Sequence, residues 1–233
     1  MQQFILNQQP SAAGPILHDL RHPDRQQDRS RFRSQLQKLG GLLGYEMSKS
    51  LRFKATAITT GLGQATELTL QEQPVLLSVL RAGLPLYQGV LEMLPDADSG
   101  FIGAYRAAEP DAATPTSEPS KAPVLDIFVG YSALPEIAGR DVVLIDPMLA
   151  TGSSLIKVLQ QLVALGQPRS VHIVAAIAAP EGVQALADFF AAQQRHYGQS
   201  YLWLGALDQG LNSHAYIVPG LGDAGDLCFG SKR

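Results

Sequence analysis

The chain has 233 residues, 45% of them hydrophobic and 17% charged, with a formal net charge of −3 and one cysteine. That length suits one well-buried α/β domain, and no apolar run is long enough for a membrane span. The lone Cys228 excludes an internal disulfide and a thiolate zinc cage, the first residues lack a secretory signal pattern, and the mild acidity gives no general attraction for nucleic acid, so a cytoplasmic protein is expected.

Residues 1–29 carry three prolines up to Pro23 and mixed polarity, which reads as an N-terminal arm that orders only by lying on the body or on a second subunit. Cations concentrate here and just beyond: Arg21, Arg25, Arg29, Arg31, Arg33, Lys38, Lys49, Arg52 and Lys54 stand against Asp19, Asp24, Asp28 and Glu46. A solvated helix face is the ordinary explanation and an RNA or anion surface the alternative, without interleaved aromatics for base stacking. Ser30 opens a helix whose apolar stripe is Phe32, Leu36, Leu39, Leu42 and Leu43, prolonged by Tyr45, Met47 and Leu51. Gly40, Gly41 and Gly44 weaken its centre and point to close packing. A strand pair, Phe53 to Ile58 and Thr66 to Leu70, follows across the Gly61-Leu62-Gly63 turn.

Val75 to Leu80 is a buried strand ending at Arg81-Ala82-Gly83-Leu84-Pro85, with a helix from Leu86 to Leu94; Phe101 to Tyr105 is another strand, ending at Arg106. Ligands of open parallel sheets collect beyond the carboxyl ends of strands, so Arg81 and Arg106 are candidate phosphate ligands, a surface ion pair being the alternative for each. Ala107 to Pro123 is rich in Ala, Pro and Ser without apolar period, and Val124 to Tyr131 can return as a strand, so residues 107–135 read as a flexible flap closing over the site.

Val142 to Ile145 is a β-branched run that changes character at Asp146-Pro147-Met148-Leu149-Ala150-Thr151-Gly152-Ser153-Ser154. Leu155, Val158, Leu159, Leu162 and Leu165 then recur at helical spacing, so Ser153 or Ser154 is expected to cap a helix whose amino end favours an anion. Thr151 and Ser153 can donate hydroxyls to phosphate, Gly152 admits close approach, and Asp146 can accept from sugar hydroxyls. By itself the segment is equally an ordinary strand-to-helix turn. Val171 to Ile177 (strand), Pro180 to Phe190 (helix) and Tyr201 to Leu204 (strand) complete the alternation of an α/β domain spanning residues 30–233.

Near the end, Gly220-x-Gly222-x-x-Gly225 superficially matches a dinucleotide fingerprint, but that motif needs a following helix and an acid some way onward, and the chain stops at Arg233. A glycine-rich loop can instead offer backbone groups of Ile217, Gly222 and Ala224 to a flat polar ligand such as a pyrimidine. The bland reading is a closing turn. No histidine has nucleophile or metal spacing; His214, nearest the loop, reads as structural.

In order and spacing, Leu80-Arg81-Ala-Gly, Tyr105-Arg106, Asp146-Pro-Met-Leu-Ala-Thr-Gly, Ala178-Ala-Pro-Glu-Gly182, and Asp208-Gln-Gly-Leu-Asn212 through Asp226 resemble the uracil phosphoribosyltransferase family, a branch of the type I phosphoribosyltransferases. Pro147 stands where most other branches carry a second acid. The resemblance implies an open, mainly parallel sheet flanked by helices, with a flap or hood, and transfer of the phosphoribosyl group of phosphoribosyl diphosphate to uracil, giving UMP. It implies that Arg81 and Arg106 bind the donor's diphosphate side and that Asp146 to Ser154 bind its ribose and 5′-phosphate. Uracil falls to Ile217, Gly222, Asp223 and Ala224, with Arg106 and Asp223 catalytic, Asp223 also facing the donor, and Mg2+ carried on the diphosphate. A homodimer or higher homo-oligomer is expected. Pro85, Ser153, Ser213 and Ala215 depart from the family's usual residues, as does the flap. Two alternatives stay open: a non-catalytic regulator binding nucleotide and RNA, and a transferase for another base.

Overall fold

Apolar runs without polar alternation form the centre of a single sheet, as burial on both faces requires. The structure, a computed structural model, describes residues 1–106 and 127–231. In chain order the elements are β1 (Gln2–Ile5), α1 (Ala13–Arg21), α2 (Pro23–Gln26), α3 (Arg29–Ser48), β2 (Phe53–Thr59), β3 (Gln64–Leu70), β4 (Val75–Leu80), α4 (Gly83–Met93), β5 (Asp98–Arg106) and β6 (Ile127–Ala133). They continue with β7 (Asp141–Ile145), β8 (Met148–Leu149), α5 (Ser153–Val163), β9 (Ser170–Ala178), α6 (Pro180–Ala192), β10 (Gln199–Leu207), β11 (Gly210–Leu211), β12 (Ile217–Val218) and α7 (Ala224–Phe229). The main sheet runs β1-β10-β9-β7-β4-β5-β6, with β8 also on β9; its pairings are parallel except that β6 runs antiparallel to β5.

The period-2 pleat divides each central strand between two cores. Val143 and Ile145 of β7 and Val174 and Ala176 of β9 face a layer built from α1, α3 and α4; Val142, Leu144, Ile173 and Ala175 face α5 and α6. The predicted glycine-centred helix packs as expected: a Cβ on Gly40 of α3 would overlap the Leu86 carbonyl oxygen, and one on Gly89 of α4 the Gln37 carbonyl oxygen. The two backbones therefore touch where side chains would hold them apart.

Residues 1–29 lie on the body. β1 is the edge strand beside β10, and Leu17 and Leu20 of α1 share the core of Phe32, Leu36 and Leu39. The basic N-terminal stretch is largely committed to internal partners. Asp19, 5% exposed, accepts from Arg25 at 2.5 Å, Arg31 at 2.6 and 3.0 Å and Gln35 at 2.7 Å. These donors, Arg31 first, hold its carboxyl well below the usual carboxylate range. Arg33 donates to the Cys228 carbonyl, Lys49 pairs with Glu46 and Arg52 with Glu72.

Several boundaries differ from expectation. The helix expected from Ser30 starts at Arg29, capped by the Asp28 side chain accepting from Arg31 N at 3.0 Å. The helix expected from Leu86 begins at Gly83, because Pro85 falls in its first turn, where an N–H would have no intrahelical acceptor. Of the proposed flap, residues 107–126 lie outside the described residues, and its return strand is β6. β2 and β3 form a two-stranded ribbon separate from the main sheet.

Candidate active site

Because β7, β4 and β5 are neighbours, Asp146, Arg81 and Arg106 fall at one edge, each at the carboxyl end of its strand. Arg106 ends β5, its backbone paired with Ile127 of β6. Across this edge lies the loop from Ala215 to Gly225, and between them is a cavity of about 190 Å³. Arg81, Asp146, Met148, Ala150 and Ser154 line one side; Tyr216, Ile217, Leu221, Gly222 and Asp223 line the other. Segments far apart in sequence thus meet around one space.

The segment from Asp146 to Ala150 is held as an extension of the sheet. Pro147, which has no N–H to give, offers its carbonyl to Ala176 N at 3.0 Å and Ile177 N at 3.1 Å; the Leu149 carbonyl accepts from Ala179 N at 2.9 Å. Met148 N donates to Asp146 Oδ1 at 3.2 Å, fixing the acid's orientation at the rim. Pro147 and Leu149 are buried beneath the loop, so any ligand role for them falls to backbone groups. The expected serine cap is corrected: Gly152, in left-handed backbone with φ 79°, is the N-cap of α5, and Ser153 and Ser154 already occupy its first turn. Gly152 has no side chain to cap with; Thr151 Oγ1, one residue earlier, accepts from Ser153 N at 3.4 Å and donates to Ser153 Oγ at 3.0 Å. With no carboxylate at this amino end and only that long bond to a hydroxyl, the remaining first-turn N–H groups and the dipole are presented to an anion.

Arg81 follows β4 through a cis Leu80–Arg81 peptide. Its Nη2 meets Asp226 Oδ1 at 3.3 Å, both Nη atoms reach the Gly230 carbonyl at 3.3–3.4 Å, and its buried Nε has no hydrogen-bond partner among the described residues. These long contacts leave the guanidinium donor capacity to spare.

The opposite wall is a turn followed by α7. Asp223 caps α7, its Oδ1 accepting from Asp226 N at 3.0 Å. This six-residue helix corrects the expectation that no helix follows the glycine-rich run; yet β12 before it pairs only with β11, outside the main sheet, so the strand-to-helix unit of a dinucleotide fingerprint is absent among the described residues. Ala224 is buried and stands behind the cavity. Asn212 Oδ1 accepts from His214 N and Tyr216 N, shaping the approach to the wall, while the His214 side chain is exposed. Ala215 has φ 58°, a conformation that costs a non-glycine residue roughly 1–2 kcal/mol. Burial pushes the Cys228 thiol up to about 12, which makes it an inert packing group.

Among the described residues, no group of three or more His, Cys, Asp or Glu side chains could hold a metal ion, and no helix is long and apolar enough to cross a membrane. Residues not anticipated as site components include Val79, Leu80, Ala82, Tyr216 and Leu221 in the lining, and Arg21 behind it. Apolar residues and small backbone contributors carry no chemical signal in a sequence, and Arg21 lies 187 residues from its partner Asp208.

A family model described as uracil phosphoribosyltransferase matches residues 17–231. A protein of that name from Porphyromonas gingivalis is 33% identical over 232 residues, the whole of both chains. One from Thermococcus sibiricus is 34% identical over 93% of this chain and 85% of its own. The solved structure of the AQ2163 protein from Aquifex aeolicus superposes with a TM-score of 0.78 at 31% identity, covering 98% of this chain and 99% of that one.

Proposed function

The chain belongs to the uracil phosphoribosyltransferase family, and from that premise we propose that it transfers the phosphoribosyl group of 5-phospho-α-D-ribose 1-diphosphate to N1 of uracil. The observation that carries this reading is the shared cavity, with Arg81, Asp146 and Ser154 on one wall and Ile217, Gly222 and Asp223 on the other. In the reaction, the bond from C1′ to the diphosphate oxygen breaks with its electron pair on the leaving group. N1 of uracil supplies the pair for the new bond and loses its proton, so the products are UMP and diphosphate.

The donor's 5′-phosphate takes the amino end of α5 with Thr151, Gly152 and Ser153, and Asp146 accepts from the ribose hydroxyls. Arg81, with its spare donors, and Arg106 neutralise the diphosphate as negative charge builds there, while Asp223 faces the positive charge developing at C1′. Uracil lies against the backbone of Ile217, Gly222 and Ala224; a base with mismatched donors and acceptors would leave buried polar groups unpaired. Mg2+ belongs to the same proposal, carried on the diphosphate. Two acids, Asp146 and Asp223, reach the cavity, which fits an ion bound through substrate oxygens and waters better than a protein cage.

A homodimer or higher homo-oligomer is also proposed. The ribbon β2–β3 exposes Phe53, Ile58, Leu62 and Leu68, and a lone two-stranded ribbon is marginal in water without a partner. Cytoplasmic residence fits the unpaired, buried Cys228. The RNA-binding regulator loses part of its support, because Arg21, Arg25, Arg31 and Arg33 are engaged with Asp208, Asp19 and the Cys228 carbonyl. Diphosphate release by the purified chain, with donor, Mg2+ and each base offered separately, is the test. Release with uracil is expected; release with hypoxanthine or guanine but not uracil would reassign the base, and none with any base would favour the regulator.

A further inference from the structure

Arg21 carries the N-terminal helix to the backbone of the proposed base loop. Arg21, the last residue of α1, forks onto Asp208 with Nη1 at 2.9 Å and Nη2 at 2.6 Å, and Nη1 also donates to the Gly220 carbonyl at 3.3 Å. Asp208 Oδ2 accepts from Gly220 N at 2.9 Å. One ion pair therefore grips both polar backbone groups of the same residue. Its acid is 4% exposed and its base 24%. Both partners are anchored: Asp208 follows β10 and its N–H bonds the Ala178 carbonyl at 2.8 Å, and α1 is seated by the buried Leu17 and Leu20.

Gly220 is the pivot of the loop. It follows the cis Val218–Pro219 peptide with φ 66°, and a Cβ there would overlap the Ile217 carbonyl oxygen, so the turn has no room for a side chain of its own to fix it. Ile217 before it, and Leu221, Gly222 and Asp223 after it, line the cavity, whereas Arg21 and Asp208 do not. A wall that recognises a ligand through backbone groups has no rotamers with which to adjust. Its hydrogen bonds weaken steeply with distance and angle, so the position of the turn sets the strength of recognition. Bonds to ionised partners are the stronger kind for holding such a turn.

We propose that Arg21 and Asp208 are a positioning pair that sets the base loop, making α1 part of the selectivity apparatus for the pyrimidine. This rests on the reading of residues 217–224 as the base subsite. The pair acts chiefly on the base, because α5 and the Asp146 loop are fixed by β9 independently of Gly220, and Asp223 is the one donor-facing side chain that the loop carries.

The experiment uses the full chain with Arg21→Lys and Arg21→Met. The lysine keeps the charge on Asp208 and loses the fork; the methionine loses both. Expected are a KM for uracil raised by about 10- to 100-fold in the methionine variant and by less in the lysine variant, with KM for phosphoribosyl diphosphate and its affinity measured without base changed by several-fold less than the KM for uracil. Amide exchange in the peptide spanning 217–223 should quicken in both, at a melting temperature close to wild type for Arg21→Lys. Equal rises in both KM values, or unchanged exchange in a folded variant, would overturn the positioning role. Faster exchange with an unchanged uracil KM would overturn its link to selectivity. A wild-type chain without uracil turnover sinks the base-subsite reading instead, a result distinct from either.

Discussion

Replacing Asp223 by asparagine separates two tasks held by one carboxylate. Its Oδ1 caps α7 by accepting from Asp226 N at 3.0 Å, and the same residue lines the cavity opposite Arg81 and Asp146. Asparagine keeps an oxygen acceptor and ranks beside aspartate as an N-cap, so the hydrogen bond survives. What disappears is a negative charge at a helix amino end, worth about 0.3–1 kcal/mol at an exposed position. For a domain of this size that lowers Tm by no more than about 4 °C. Loss of an electrostatic stabiliser of the transition state costs far more, about 10²- to 10³-fold in kcat. Asp223→Ala removes the cap as well, adding about 1 kcal/mol of destabilisation. The assays are diphosphate release under saturating donor and uracil, and thermal unfolding of each variant. Wild-type turnover in Asp223→Asn, or activity that tracks stability across the two variants, would refute the assignment of chemistry to this side chain.

Three further outcomes follow from the geometry. Arg81→Lys keeps the charge but loses the fork and the spare Nε, so KM for the donor should rise on the order of tenfold with uracil affinity little changed; initial rates at varied donor decide it, and an unaltered donor KM removes Arg81 from the diphosphate site. Gly89→Ala forces a methyl onto the Gln37 carbonyl and must push α4 from α3, costing about 1–3 kcal/mol by urea unfolding; a neutral result would mean that the helices slide freely there. His172 is buried with Nε2 2.9 Å from Ser170 Oγ and Nδ1 accepting from Trp203 Nε1 at 3.3 Å; burial pushes it down to about 4, against a smaller opposing pull from Asp141. The unfolded imidazole takes a proton below 6.5 and the folded one does not until about 4, so as pH is lowered through that window stability should drop by about 1.4 kcal/mol per unit, and it should be flat above 6.5 for this group. His172→Gln should remove that component, and an identical pH slope in both proteins would count against it.

Much of the scaffold was legible because its signals are local. Val142 to Ile145 and Val171 to Ile177 are apolar without alternation, as strands covered on both faces must be, and both are central strands. The stripe from Phe32 to Leu43 carries the helical period and packs on the core with it. The ends of elements were less legible. Gly152 rather than a serine is the N-cap of α5, since whether a hydroxyl caps depends on its backbone angles and not on its presence. β1 carries no apolar run to betray it and takes its place by pairing with β10, and α7 is too short for periodicity to reveal.

By itself, then, the sequence determined the α/β alternation, the acid-then-hydroxyl turn after Val142 to Ile145, and the arginines that close two strands, because propensity, pleat and helical period act over a few residues. Only the tertiary structure decided that β7, β4 and β5 are neighbours, which brings Arg81, Arg106 and Asp146 to one edge, and that the loop from Ala215 to Gly225 faces them. It alone joined Arg21 to Asp208 and both to Gly220. Such contacts depend on strand order and on which helix covers which face, and no local pattern of residues carries that information.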